Sequence, residues 1–99
     1  MNTWHYYVDD GTNMFSIVET ESRHYTFMLI DIRSRTTIAV DFIDTNEYSH
    51  PDDPNLIKAL AFQFLKDYRL EDKDTVKLAP MSPETFRELY INLICSKYR

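Results

Sequence analysis

Residues 24–43 read His-Tyr-Thr-Phe-Met-Leu-Ile-Asp-Ile (24–32), Arg-Ser-Arg (33–35) and Thr-Thr-Ile-Ala-Val-Asp-Phe-Ile (36–43). Two stretches rich in β-branched and aromatic residues flank a short polar tripeptide, the pattern of paired strands joined by a turn. In the second stretch Ile38, Val40 and Phe42 alternate with Thr37, Ala39 and Asp41, a period of two. In the first, Tyr25, Phe27 and Leu29 share one face while Met28, Ile30 and Ile32 share the other. A strand apolar on both faces belongs in the middle of a sheet, and one of its faces is free to meet a partner.

The pattern extends toward the N-terminus. Residues 4–8 (Trp-His-Tyr-Tyr-Val) and 14–20 (Met-Phe-Ser-Ile-Val-Glu-Thr) read as another strand pair. Asp9-Asp10-Gly11-Thr12-Asn13 supplies turn chemistry between them, with Gly11 suited to positive φ. Toward the C-terminus the period changes. Asp53-Pro54 is a helix start, because Asp accepts from free N–H groups and Pro suits the first helical position. Leu56, Ile57, Leu60, Ala61, Phe64, Leu65 and Tyr68 then form an amphipathic stripe, with Phe62 off it. This helix should end near Leu70, before Glu71-Asp72-Lys73-Asp74. Thr75 to Ala79 suit a short strand. Ser82-Pro83-Glu84 repeats the cap-plus-proline signal. Phe86, Leu89, Tyr90, Leu93 and Ile94 make a second stripe.

The order is therefore β-β-β-β-α-β-α. It predicts one α+β domain over residues 1–99: a four-stranded antiparallel meander, extended at one edge by a fifth strand, packed against two helices. Two layers are expected, with the sheet on one side and both helices on the other.

Composition removes several functions. The chain has 99 residues, 43% hydrophobic and 14% aromatic, which fits a folded globule with one core. Its single glycine rules out glycine-rich phosphate loops. Cys95 is the only cysteine, so no internal disulfide forms, and a reducing cytoplasm is the expected setting. No basic-then-apolar leader opens the sequence and no apolar run suits a membrane span, so neither secretion nor a membrane role is expected. The net charge of -5 argues against direct nucleic-acid binding. Scarce glycine and alanine beside many Asp, Tyr and Ile suggest an AT-rich source such as a phage or mobile element.

Catalytic and metal motifs are weak. Pro51-Asp52 and Glu71-Asp72-Lys73 imitate the paired carboxylates and lysine of metal-dependent nucleases. A predicted helix lies between them, however, and about 16 helical residues separate its ends by roughly 24 Å. Asp44-Thr45-Asn46-Glu47-Tyr48 begins like a calcium loop, but Tyr48 and Ser49 replace the required ligand and glycine. His5, His24 and His50 are scattered and lack zinc-site spacing. Cys95 follows the core position Ile94 and reads as an inert thiol. Ser34 and Ser82 read as turn and cap. No cofactor, metal or catalytic set is expected.

Two surface features remain besides. Arg33 and Arg35 bracket a hairpin tip, with Arg23 near the other end of the strand; they form a weak candidate anion site or a solvated turn. Trp4, Tyr6 and Tyr7 could stack nucleic-acid bases, but Asp9 and Asp10 follow and no Lys or Arg precedes Arg23.

The main functional signal is charge. Residues 1–55 hold 10 acids and 3 bases, against 6 acids and 8 bases in residues 56–99. Between Arg35 and Lys58 there are five acids, Asp41, Asp44, Glu47, Asp52 and Asp53, and no Lys or Arg. Such a run can steer a basic protein, its carboxylates standing where phosphates would. The expected function is a small acidic protein-binding domain: an inhibitor, immunity protein or phage-type antagonist that occludes a basic nuclease or nucleic-acid-binding complex. Asp41, Asp44, Glu47, Tyr48, Asp52 and Asp53 are the candidate contacts, Tyr48 as aromatic anchor and Asp9 and Asp10 as extensions. The plain alternative is an ordinary solvated surface. Other readings are a non-catalytic structural subunit or homodimer using an apolar sheet face, and a small enzyme whose site is assembled from distant residues.

Overall fold

A computed structural model describes residues 2–8, 13–34, 36–68 and 78–88. Four strands, β1 (Thr3–Val8), β2 (Asn13–Glu21), β3 (His24–Asp31) and β4 (Thr36–Asp44), precede helix α1 (Pro54–Tyr68) and strand β5 (Leu78–Pro80). Residues 83–88 are the described part of a second helix, α2. The strands form one antiparallel sheet in the order β4-β3-β2-β1-β5. The α+β class, the meander, the edge position of the fifth strand and the element order agree with the sequence. Gly11 and residues 89–94 of the second stripe lie outside the described residues.

The helix signals act as their chemistry requires. Asp53 Oδ1 accepts from the Asn55 N–H at 2.9 Å, capping α1 just before Pro54. Ser82 Oγ accepts from the Thr85 N–H at 3.1 Å at the start of α2. In the β3–β4 turn the Asp31 carboxylate accepts from the Ser34 N–H at 3.0 Å. The fifth strand is described over Leu78–Pro80, which pairs with β1; residues 75–77 lie outside the described residues.

The helices do not share a face, which corrects the two-layer expectation. Phe15, Ile17, Phe27 and Leu29 pack with Ala61, Phe64 and Leu65 of α1. Phe64 sits 5.7 Å, centroid to centroid, from both Phe15 and Phe27. The intervening residues point the other way. Met14 and Ile30 form a separate core with Met81, flanked by Phe86 of α2. Strand parity decides this. Tyr6, on the α1 side, pairs with Pro80. Met81 therefore lies beside His5 on the opposite side, and its N–H donates to the His5 carbonyl at 2.8 Å. The chain leaves β5 already committed to that face, and α2 starts there.

His5 is the polar centre of this second core. It is 6% exposed. Its ring stacks on Phe86 with centroids 3.7 Å apart, and Nδ1 lies 2.9 Å from Ser16 Oγ. Burial pushes its pKa below the ordinary value of 6.5, because the charged ring would lose its hydration.

Two outcomes are expected. Phe64→Ala removes a ring shared by α1 and two strands and should cost about 3–5 kcal/mol, read as a lower urea midpoint. For His5, the unfolded chain takes up a proton below pH 6.5 that the folded ring resists. This contribution to stability should thus be complete above pH 6.5, fall as the pH drops toward the depressed value, and then level off. His5→Gln should flatten that part of the stability–pH curve.

Candidate functional site

The acidic segment is a built structure, and Arg23 organises it. The β2–β3 hairpin turns through Ser22 and Arg23, and Arg23 adopts φ 66°, the left-handed region that glycine enters most easily. This conformation aims its guanidinium at the segment that follows β4. Nε and Nη2 donate to the two carboxylate oxygens of Asp52 at 3.0 and 2.7 Å, a bidentate pair. Nη1 donates to Asn46 Oδ1 at 3.1 Å. The Arg23 carbonyl accepts from the Thr45 N–H at 2.9 Å and from its hydroxyl at 3.2 Å. Thr45 is fully buried. The hydrogen bonds and charge of Asp52 raise the guanidinium pKa further.

Three of the other acids have local partners. Asp44 Oδ1 accepts from the Asn46 N–H at 3.0 Å, capping the short 3-10 turn Thr45–Glu47. Its Oδ2 lies 3.6 Å from His24 Nε2. Asp41 accepts from the Phe42 N–H at 2.9 Å, and Asp53 caps α1. Asp41, Glu47, Tyr48, Asp52 and Asp53 are all exposed, and Asp44 is half-buried. Four of the five acids in the run are therefore held by hydrogen bonds, and the charge of Asp52 is offset by Arg23.

Next to this array a cleft of ≈ 620 Å³ opens between the sheet and the first turns of α1. Trp4, Tyr6 and Tyr25 form part of one wall, and Ile57 and Phe62 part of the other. Asp52, Asp53 and Lys58 also line it. The Tyr25 hydroxyl is held above its ordinary pKa, first by burial and then by its hydrogen bond to Glu19. Phe62, off the apolar stripe of α1, serves here as a wall rather than core. Tyr48 and Asp53 line a separate depression of ≈ 280 Å³ with His50 and Leu56.

The strand alternation separates other expected groups. Trp4 and Tyr6 face the cleft, while Tyr7 packs beside the second core, so the three rings form no single stacking surface. His5 is buried on the far face, away from His24 and His50. Among the described residues no group of three His, Cys, Asp or Glu could hold a metal ion. Asp52 of the nuclease-like pair is engaged by Arg23 at the start of a 15-residue helix. Asp9, Asp10, Arg35, Glu71, Asp72, Lys73 and Cys95 lie outside the described residues. Among the described residues no helix is long and apolar enough to cross a membrane.

Sequence reasoning missed the role of Arg23. The signal was present: it is the only Lys or Arg before Arg33, and a turn of left-handed backbone puts it beside a stretch without cations. Comparison with protein-family models, curated proteins and solved structures finds no match.

The two functions of Arg23 separate by substitution. Arg23→Gly keeps the backbone at ease and deletes the clamp. It should speed amide exchange across residues 44–53 with little change in melting temperature, since exposed ion pairs add little to global stability. Arg23→Ala deletes the clamp but keeps the left-handed cost that arginine already carries, so it should loosen the same segment and melt below the glycine variant.

Proposed function

We propose that this chain is a non-catalytic protein-binding domain that occludes a basic surface, as an inhibitor or immunity-type protein does. The observation that carries the reading is the cleft between the sheet and α1, where aromatic and aliphatic walls meet the carboxylates of Asp52 and Asp53. A long cationic side chain has that composition in reverse. Its methylene stem packs on Trp4, Tyr25 and Phe62, and its charged head meets Asp53, the lining carboxylate that Arg23 does not offset. Asp41, Asp44 and Glu47 add a field that steers a basic partner toward the cleft. The Arg23 clamp supports the reading further, because acids held in place lose little freedom on binding. Basic nucleases and nucleic-acid-binding complexes present such side chains where they meet phosphates.

Capture of partners from the native host, using the tagged chain and an Asp52→Asn, Asp53→Asn variant, tests the proposal. Asn at position 53 still caps α1. The expected result is a basic partner held by the original chain, weakened by about 2–5 kcal/mol in the variant, with association that slows as salt rises. Equal capture by both forms, or an association rate indifferent to salt, would falsify it.

A further inference from the structure

Aromatic rings dominate the walls of the cleft beside α1: Trp4, Tyr6, Phe15, Tyr25 and Phe62 all line it. Trp4 and Phe62 are each 40% exposed, so both present ring surface to whatever enters. The carboxylates stand at one end, where Pro51, Asp52 and Asp53 lead into the first turn of α1 and Trp4 and Tyr25 lie near the starts of their strands. Residues 69–77, outside the described residues, follow Tyr68 at the other end of α1 and enter β5 at Leu78, opposite Val8. The acidic end is thus the end remote from both of those joins.

This end offers a cation net negative charge but few free acceptors. Glu19, hydrogen-bonded to the Tyr25 hydroxyl, joins Asp52 and Asp53 to set three carboxylates against two cations, Arg23 and Lys58. Lys58 is exposed, and its long stem lets the ammonium stay in water. Both oxygens of Asp52 already accept from Arg23, and Asp53 Oδ1 accepts from the Asn55 N–H. Asp53 Oδ2 is the lining carboxylate oxygen that accepts no donor among the described residues.

We propose that the side chain this cleft takes from its partner is an arginine and not a lysine, its guanidinium lying against the rings of Trp4 and Phe62 with one edge on Asp53 Oδ2. The inference rests on the protein-binding reading above and names the residue that reading leaves open. Hydration decides between the two cations. A lysine ammonium is a compact, strongly hydrated charge with three donors, and one free carboxylate oxygen does not replace the water it sheds. A guanidinium is planar and more weakly hydrated, and it stacks on aromatic faces, so ring surface supplies what the scarce acceptors do not. At ≈ 620 Å³ the cleft has room for the arginine together with its neighbours in a short peptide.

Trp4 is the only tryptophan, so its emission reports occupancy of the cleft. Three blocked tripeptides serve as probes, with arginine, lysine or citrulline at the centre; citrulline keeps the shape of arginine without its charge. The arginine peptide should change the emission saturably, the lysine peptide should bind about tenfold more weakly, and the citrulline peptide should bind no better than the lysine one. Asp53→Asn, which keeps the α1 cap, and Phe62→Ala should each weaken the arginine peptide about fivefold, with retained circular dichroism melts showing that the fold persists. Equal affinity for arginine and lysine overturns the proposal. So does citrulline bound as tightly as arginine, or a chain in which no peptide moves either the emission or the amide resonances around the cleft. The protein-binding reading is judged separately: a basic partner captured by the original chain and lost by the Asp52→Asn, Asp53→Asn variant upholds it even where the choice of arginine fails.

Discussion

Phe15 and Phe27 lie on one face of the sheet, while Met14 and Ile30 lie on the other, and all four are almost wholly buried. Two central strands with apolar residues on both faces cannot be satisfied by a single covering layer. Burying only one side would leave the other in water at a cost that scales with its apolar area. The fold meets this constraint by sending α1 over one face and starting α2 on the other. The division also explains the position of His5. A polar ring in the second core is tolerated because Ser16 provides a hydrogen-bonding partner and Phe86 covers its plane.

The second constraint is the connection from β4 to α1. The segment must leave an edge strand, turn, and deliver Pro54 at the right place over the sheet. Thr45 is buried and bonded to the Arg23 carbonyl, and Asp52 is clasped by the same arginine. One residue in left-handed backbone thus ties the β2–β3 turn to both ends of the connection. The ion pair is exposed, so its contribution lies in positioning rather than in global stability. Local order of this kind turns most of a run of acids into an array with fixed spacing.

Much of the fold was legible because it rests on short-range patterns. The alternation in residues 36–43, the stripe of α1, and the caps at Asp53 and Ser82 each report local geometry that the chain adopts in any context. The placement of α2 was not legible in that way. A stripe shows that a helix needs an apolar surface without showing which one, and the answer depends on the register of a three-residue strand. The two-sided apolar pattern of residues 24–32 did indicate that both faces needed cover. For the candidate site, the acids could be read as a charge run, but the cleft could not. Trp4, Tyr25 and Phe62 are far apart in sequence and meet only through the antiparallel pairing and the docking of α1.

The same limitation governs the exposed face of β4. Alternation identifies Ile38, Val40 and Phe42 as one face, and the usual inference assigns an apolar face to the core. In this fold the opposite face, with Ala39 and Ile43, is the one that meets the α1 core. Small Ala39 at that position suits an edge strand under the flank of a helix. The larger residues gain no burial from α1, yet they are bulkier than solubility requires. Val40 and Phe42 lie on the face where α2 starts, and a bulge in the pairing with β3, between Thr37 and Ala39, interrupts the alternation at Ile38. The period of two read from residues 36–43 therefore holds from Ala39 onward and fails at the bulge, which no local signal in the sequence announces.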